Sequence, residues 1–198
     1  ADFIIFSIDD IDKDENAKVI IIDIDSFGGS PSAGEEVANA LKRAKKPTIA
    51  VIRDAGLSAS YLAATGADII FASKYSDVGS IGVTASYLDN VEKNKKEGLN
   101  YNPLFTGEFK ETFNPDKPLT AKERNLVQRD LKIMHEDFIK AVAENRNLDI
   151  EKVRTLADGS TMLGQMALEQ GLIDKIGGMY EAKQYLAELI GEDVELCW

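Results

Sequence analysis

Three short apolar runs alternate with two helix-like segments between positions 19 and 72, and this alternation constrains the fold more than any other feature. The apolar runs are 19–24, 48–52 and 69–72. Their length and β-branched composition predict buried strands. A helix is predicted from Pro31, with early glutamates and late basic residues, and a shorter one from Ser58 to Gly66. The order strand, helix, strand, helix, strand predicts an α/β fold with parallel strands and right-handed crossovers.

A glycine turn, "DSFGGSP" at 25–31, joins the first strand to the first helix. Exposed N–H groups at a helix N-terminus form an anion site, which suits either a phosphate or a developing oxyanion. The sequence contains no GxxxxGK[ST] loop, and "FGGSPSAG" does not match GxGxxG, so a nucleotide site is disfavoured. A plain tight turn is the alternative interpretation.

Ser58 follows the second strand after a break at Arg53, Asp54 and Gly56, and it precedes small residues and Tyr61. A serine at the tip of a buried strand is a candidate nucleophile where other backbone can approach it closely. A serine that caps a strand-to-helix turn would explain the same pattern. The residues alone leave both interpretations open.

Composition excludes several classes of function. The 198 residues carry a net charge of −11, which disfavours nucleic acid and an anionic membrane surface as main partners. The single cysteine, Cys197, excludes an intrachain disulfide and a cysteine-based metal site. The sequence has no run of 18 apolar residues and no signal peptide, so no membrane span is expected within it.

A serine nucleophile needs a base, and the only histidine, His135, lies in the middle of the longest predicted helix. We expect it to be a partly buried helix residue rather than a base. A lysine can act instead if burial lowers its pKa enough to leave it neutral when it takes the proton. Composition does not choose among the lysines of this chain.

The rest of the sequence predicts mainly helices. Residues 78–83 are predicted to form a short strand or a turn, 101–105 are strand-like, and 106–118 form a predicted loop. Further predicted helices are 86–97, 119–147, 149–158, 162–172 and 179–190. The helix over 119–147 begins with a capping box formed by Thr120 and Glu123.

Five segments occur in the order and spacing of the signal peptide peptidase A family, which the chain resembles over nearly its whole length. They are "DSFGGSPSAGEEVANAL", "GLSASYLAATGADIIFA", "VGSIGV", "TGEFKETFNPDKPLTAKER" and "ADGSTMLGQMALEQGLIDKIGG". Members of this family are serine proteases with a Ser–Lys dyad on the fold shared by ClpP and the crotonases. The resemblance implies an α/β superhelix of repeated β-β-α and βαβ units with C-terminal helices, in one protease domain over 1–198.

The resemblance also implies the catalytic residues. Ser58 matches the family's nucleophile, and Lys110 in "GEFK" matches its general base. Ser80 in "GSIG" matches a serine that hydrogen-bonds to the lysine and orients it. The implied mechanism uses no metal and no cofactor.

The remaining site residues surround this dyad. The resemblance assigns the oxyanion hole to the backbone N–H groups of Gly29 and Ala59, with Gly28 as a further candidate. Candidates for an apolar substrate groove are Phe27, Leu57 and Tyr61.

Three departures from the family pattern occur, at four positions. Ala59-Ser60 stands where the family has two glycines after the nucleophile, and Phe27 stands where it has a proline before the paired glycines. Ser160 stands where it has an arginine after "DG". Alanine still offers an N–H, so the oxyanion hole is retained, but the β-carbons at 59 and 60 change the shape of the site.

The expected function is that of a serine endopeptidase that cleaves short or unfolded apolar peptides, such as remnant signal peptides, as a homo-oligomer. One alternative is a catalytically inactive scaffold or assembly module of the same fold. Another is a crotonase-type enzyme acting on acyl-CoA, which is disfavoured because no basic cluster is evident for the CoA phosphates. The resemblance implies an upstream strand and a membrane anchor that this sequence lacks, so we expect this piece to be soluble and the longer protein to be membrane-associated.

Overall fold

The computed structural model describes residues 1–197, and these residues form two compact units. The first unit comprises residues 1–82 and the chain from Asp137 onward. The second unit is Val83–Glu136. A single protease domain over 1–198 therefore stays a prediction.

The first unit contains the strands and most of the helices. Its strands are β1 (Ile20–Ser26), β2 (Thr48–Leu57), β3 (Ile69–Ala72), β4 (Asp77–Gly79), β5 (Thr161–Leu163) and β6 (Lys175–Ile176). The helices within it are α1 (Asp2–Lys13), α2 (Pro31–Arg43), α3 (Ala59–Ala64), α6 (Ile150–Leu156), α7 (Gly164–Gln170) and α8 (Met179–Ile190). The second unit holds α4 (Val91–Lys96) and the start of α5 (Ala121–Arg146), whose residues 137–146 belong to the first unit.

Strand β2 is central to the sheet of the described residues. It pairs in parallel with β1 along one edge, and along the other it pairs in parallel with β3 and then with β4. Strand β6 continues the sheet beyond β3, and β5 pairs antiparallel with β4. The predicted parallel α/β arrangement is confirmed. Because β1, β2 and β4 run in the same direction, their carboxyl ends lie at the same end of the sheet, and the residues that follow them meet there.

Successive residues of β2 point to opposite faces of the sheet, and both faces are covered. Ile49 and Val51 pack in one apolar cluster with Phe71, Ala182 and Leu186. Ala50 and Ile52 belong to a larger cluster that includes side chains of α2, α3 and α5. This two-sided burial explains the continuous apolar run at the start of β2.

Of two elements predicted within the second unit, the strand is absent and the helix is shorter than predicted. Residues 101–105 form no strand: Leu104 is fully exposed, and the described part of this unit contains no strand to pair with. The helix predicted over 86–97 is confirmed only for α4, which begins after Asn90, whose N–H donates to the carbonyl of Pro115 at 2.6 Å.

Other elements follow the sequence more closely. Pro31 opens α2, and Thr120 and Glu123 exchange hydrogen bonds at the start of α5, so the predicted capping box is confirmed. Helix α1, which buries Ile8, has no counterpart among the sequence predictions. None of the helices in the described residues has the length and apolar character needed to cross a membrane.

Candidate active site

Ser58 occupies the junction between β2 and α3 in a strained backbone conformation, with φ 52° and ψ −125°. Such dihedrals cost an L-residue about 1–3 kcal/mol and concentrate at functional sites. Two hydrogen bonds hold the residue there: its N–H donates to the carbonyl of Gly79 at 2.8 Å, and its carbonyl accepts from the N–H of Leu62 at 3.0 Å. A strained serine between a strand and a helix has the geometry of a nucleophile elbow.

The hydroxyl of Ser58 does not cap helix α3. Ser58 stands at the N-cap position, but its side chain accepts no hydrogen bond from the first N–H groups of the helix. A capping serine is recognised by that bond. The helix-cap interpretation therefore fails, and the half-buried hydroxyl remains available for other contacts.

The glycine turn after β1 lies directly against Ser58. Gly28 has φ 113°, a value that favours glycine. A β-carbon on Gly28 would lie 2.8 Å from the β-carbon of Ser58 and 3.0 Å from the carbonyl oxygen of Leu57. Only glycine can therefore approach the serine this closely.

The N–H groups at this turn differ in availability. The N–H of Gly28 already donates to the hydroxyl of Ser26 at 3.2 Å. The N–H of Gly29 makes no hydrogen bond within residues 1–197. Ala59 is the first residue of α3, so its N–H has no acceptor within the helix. Gly29 and Ala59 are thus better placed than Gly28 to donate to an oxyanion.

Ser60, at a position where the resembled family has glycine, turns its hydroxyl into the strand junction. The N–H of Leu57 donates to Ser60 Oγ at 2.9 Å. The same oxygen lies 2.7 Å from the carbonyl of Ser26 and 2.8 Å from that of Leu57, and it can donate its one proton to either. Sequence reasoning missed these contacts, because they depend on how the ends of β1 and β2 meet.

Ser80 lies beside Ser58 through the register of the sheet. Leu57 of β2 pairs with Gly79 of β4, so Ser58 and Ser80 are the residues that follow a paired position on neighbouring parallel strands. Ser80 also has a positive φ, 51°. The structure therefore brings Ser58 and Ser80 together at the carboxyl ends of their strands.

The loop formed by residues 158–160 holds Ser80. The N–H of Ser80 donates to the carbonyl of Ser160 at 2.9 Å, and its hydroxyl donates to the carbonyl of Gly159 at 3.2 Å. Hydrogen bonds from the hydroxyl and then the N–H of Ser160 lower the pKa of Asp158 below its ordinary value. Ser160, one of the departures from the family pattern, thus shapes the loop that supports Ser80.

Lys110 lies in the second unit, whereas Ser58 and Ser80 lie in the first. It is exposed, its N–H donates to the carbonyl of Gly107 at 3.1 Å, and its amine forms no ion pair within the described residues. Lys117 of the same unit is instead engaged with Glu123, at 2.7 Å and 2.8 Å from the two carboxylate oxygens. The pairing of Ser58 with Lys110 remains a proposal.

Comparison with known proteins assigns the family. The model of peptidase family S49 matches residues 40–193. The chain belongs to peptidase family S49. This confirms the resemblance to the signal peptide peptidase A family, since chloroplast serine protease SPPA of Arabidopsis thaliana is 29% identical to this S49 chain over 185 residues, covering 92% of the chain and 27% of that protein.

Other relatives carry protease names as well. MJ0651 of Methanocaldococcus jannaschii, assigned as a protease, is 33% identical over 184 residues, covering 92% of the S49 chain and 59% of MJ0651. Protease 4 of Haemophilus influenzae is 29% identical over 183 residues, covering 90% of the chain and 29% of that protein. The chain thus spans less than two thirds of the length of each of these three relatives.

The S49 chain has the ClpP fold. A single-residue mutant of ClpP1 from Listeria monocytogenes superimposes with a TM-score of 0.61 at 14% identity, over 91% of this chain and 85% of that one. The predicted ClpP/crotonase-like fold class is therefore confirmed.

The three candidate groove residues of the S49 chain differ in exposure. Phe27 is 81% exposed next to the glycine turn, whereas Leu57 is buried. Tyr61 is fully buried, and its hydroxyl donates to the carbonyl of Leu172 at 2.8 Å. Burial raises the pKa of Tyr61 far above its usual range. The structure thus gives Tyr61 a packing role in place of a groove position, because a fully buried ring offers no surface to a peptide.

His135 is partly buried in α5, as predicted, and belongs to the second unit. Its Nε2 is buried and has no hydrogen-bond partner among the described residues. Within residues 1–197, no group of three or more histidine, cysteine, aspartate or glutamate side chains could hold a metal ion.

An apolar cleft of about 300 Å³ opens beside the glycine turn in the first unit. Its walls include Ile4 of α1, Ile22 and Ile24 of β1, and Val37 of α2. Gly28, Gly29, Ala59 and Ser60 form part of its lining. An aliphatic side chain could therefore be held next to the N–H groups of the turn.

Proposed function

We propose that this S49 chain is a serine peptidase in which Ser58 is the nucleophile and Lys110 is the general base. The observation that carries the proposal is Ser58 itself, a strained serine at the end of a buried strand whose hydroxyl does not cap the helix that follows. The Gly28 backbone approaches this serine more closely than any other residue type would allow. Membership of a peptidase family supports peptide-bond hydrolysis as the reaction.

The proposed reaction has two steps. The amine of Lys110 takes the proton of the Ser58 hydroxyl, while Ser58 Oγ attacks the carbonyl carbon of the scissile bond. The N–H groups of Gly29 and Ala59 stabilise the negative charge that develops on the carbonyl oxygen. Lysine then gives the proton to the leaving amine, and water hydrolyses the acyl-enzyme by the same route.

The proposed substrates are short or unfolded apolar peptides, such as remnant signal peptides. The apolar walls of the cleft beside the glycine turn and the exposed ring of Phe27 support this choice. A folded substrate would have to unfold to present its backbone carbonyl to Ser58, whereas an extended peptide presents it directly.

We further propose that the protein works as a homo-oligomer. Helix α5 exposes Ile133 and Met134, which gives an apolar surface to a second copy. Light scattering that shows only monomers at micromolar concentration, with full activity, would contradict the oligomer.

The dyad is tested by active-site labelling and turnover. Ser58→Ala should abolish fluorophosphonate labelling and cleavage of a fluorogenic apolar peptide. Lys110→Ala should lower kcat by about 100-fold or more, the range of general-base catalysis. The matched controls are Ser32→Ala and Lys96→Ala, which alter exposed residues of α2 and α4 and should leave both readouts unchanged. If the fluorophosphonate does not label the wild-type protein and the protein cleaves no peptide, the alternative of an inactive scaffold would be supported instead.

A further inference from the structure

We propose that Ser60 is a positioning residue, whose hydroxyl holds the glycine turn in register with Ser58. This inference rests on the proposed function, since it assumes that Ser58 attacks and that the turn receives the oxyanion. Its starting point is the side chain that stands where the resembled family has a glycine. The hydroxyl of that side chain lies within hydrogen-bond distance of three backbone atoms at the strand ends.

The ladder between β1 and β2 is irregular where the site begins. The two strands pair residue by residue up to Ile24 and Ile52, and the register then shifts so that Ser26 lies opposite Gly56. Such an irregularity interrupts the backbone hydrogen bonds that normally fix two strands to each other. The junction that carries both the turn and Ser58 therefore needs another connection.

Ser60 supplies that connection from the first turn of α3. Its oxygen accepts the N–H of Leu57 at 2.9 Å and lies 2.7 Å from the carbonyl of Ser26. Since Leu57 immediately precedes Ser58, one hydroxyl joins the residue before the nucleophile to the last residue of β1. An alanine or glycine at position 60 would leave the N–H of Leu57 without this partner.

A second hydroxyl extends the contact to the turn itself. Ser26, whose carbonyl faces Ser60, accepts the N–H of Gly28 with its side chain at 3.2 Å. This bond fixes the peptide plane of Gly28 and leaves the next N–H, that of Gly29, without a partner in residues 1–197. The series Ser60, Ser26, Gly28 thus determines where the free donor lies relative to Ser58. A displacement of about 1 Å in such a site costs on the order of 100-fold in rate.

The test compares Ser60→Ala with Ser60→Thr, which keeps the hydroxyl. Ser73→Ala is the matched control, since Ser73 is also half-buried in the first unit and its hydroxyl accepts one backbone N–H, that of Tyr75, at 3.3 Å. We expect Ser60→Ala to lower kcat by about 10- to 100-fold, with KM within about threefold of wild type. Affinity for a peptide boronate, which mimics the tetrahedral intermediate, should fall in parallel with kcat. Ser60→Thr should recover most of both losses.

The outcomes separate this inference from the proposed function. Turnover by Ser58→Ala would overturn both. An inactive Ser58→Ala combined with Ser60→Ala kinetics equal to those of Ser73→Ala would overturn the role of Ser60 alone, as would a folded Ser60→Thr that loses as much kcat as Ser60→Ala. If Ser60→Ala does not fold by circular dichroism, Ser26→Ala tests the last step of the series, because it removes the acceptor of the Gly28 N–H while leaving the Ser26 carbonyl in place, and wild-type kinetics for Ser26→Ala would overturn the inference.

Discussion

Gly28 and Ser58 lie in such close contact that a β-carbon on the glycine would stand 2.8 Å from the β-carbon of the serine. Real side chains do not approach that closely, so the turn after β1 and the junction after β2 fit together only with glycine at this position. The contact couples two segments that are well separated in the sequence, one at the end of β1 and the other at the end of β2.

Gly28→Ala should abolish this fit. We expect at least a 100-fold loss of kcat/KM, because either the turn or Ser58 must move by a substantial fraction of an ångström. The control is Gly191→Ala, which also has a positive φ, 74°, but has open space around it. Gly191→Ala should lose about 1–2 kcal/mol of unfolding free energy from backbone strain alone. Gly28→Ala should lose more, because the clash adds to the strain, and only Gly28→Ala should lose activity. Equal activities in a peptide-cleavage assay would show that the contact has no catalytic consequence.

Ser80 variants test the proposed orientation of the lysine. A hydroxyl can accept from or donate to a neutral amine without adding charge, whereas a carboxylate stabilises the protonated amine. Ser80→Ala should therefore lower turnover by about tenfold, and Ser80→Asp should lower it further and move the pH optimum upward. Rates measured across neutral and alkaline pH distinguish the two effects. Near-normal, equal rates at neutral pH would mean that Ser80 only supports the loop at residues 158–160.

Tyr61→Phe should affect stability and leave catalysis intact. The variant removes a buried hydroxyl and leaves the carbonyl of Leu172 unsatisfied, which costs about 1–3 kcal/mol. Tyr180→Phe is the control, since that tyrosine is exposed and its hydroxyl accepts a hydrogen bond only from the exposed side-chain amide of Gln184. Urea unfolding should separate the two variants, while kcat and KM stay within about twofold of wild type. A raised KM with unchanged stability would restore Tyr61 to the substrate groove.

Glu123 should make the protein sensitive to acid. The ion pair with Lys117, and then the hydrogen bond from the N–H of Thr120, lower the pKa of Glu123 to about 2. Because the folded-state pKa lies below the ordinary value of 4.5, the carboxylate stabilises the fold fully above about pH 4.5, and this contribution disappears as the pH falls towards 2.

Glu123→Gln should accordingly be less stable than wild type at neutral pH, with the difference shrinking below about pH 4. Unfolding free energies measured by urea titration at several pH values check this expectation. Glu97→Gln, at an exposed position after α4, serves as the control for the loss of one carboxylate, and its stability at neutral pH should stay close to that of wild type. A gap between Glu123→Gln and wild type that is unchanged at about pH 2.5 would exclude the ionised carboxylate as its source.

The sequence predicts those features of the site that depend on local pattern. Alternating apolar runs place Ser58 after a buried strand and the paired glycines before a helix, and the structure confirms both positions. Contacts made across the fold are not predictable in this way. Ser60 hydrogen-bonds to Ser26, which lies 34 residues earlier in the chain, and Ser80 hydrogen-bonds to Gly159, which lies 79 residues later. No sequence periodicity predicts contacts between residues so far apart.

Local pattern also misleads where no partner exists. Leu104 and Phe105 are apolar and strand-like in sequence, but both are exposed, and the described residues of their unit offer no sheet. Strand formation depends on a neighbouring strand as much as on composition. Helix α1 has no predicted counterpart for a different reason: it buries only Ile8, while apolar residues such as Phe3 and Phe6 are exposed, so its apolar residues do not mark one buried face.

The hydrogen bond from the Tyr61 hydroxyl to the carbonyl of Leu172 determines how late in synthesis the site can fold. It spans 111 residues, and the nearby bond from the N–H of Ile70 to the carboxylate of Asp174 spans 104. During synthesis, the helix behind Ser58 cannot complete its contacts until the ribosome has released the segment around 172–174. Because a strained serine persists only in rigid surroundings, hydrolytic competence should arrive late, when most of the chain has already been made. A chain ended after Ser160 should accordingly fail to react with a fluorophosphonate, whereas the full chain should react.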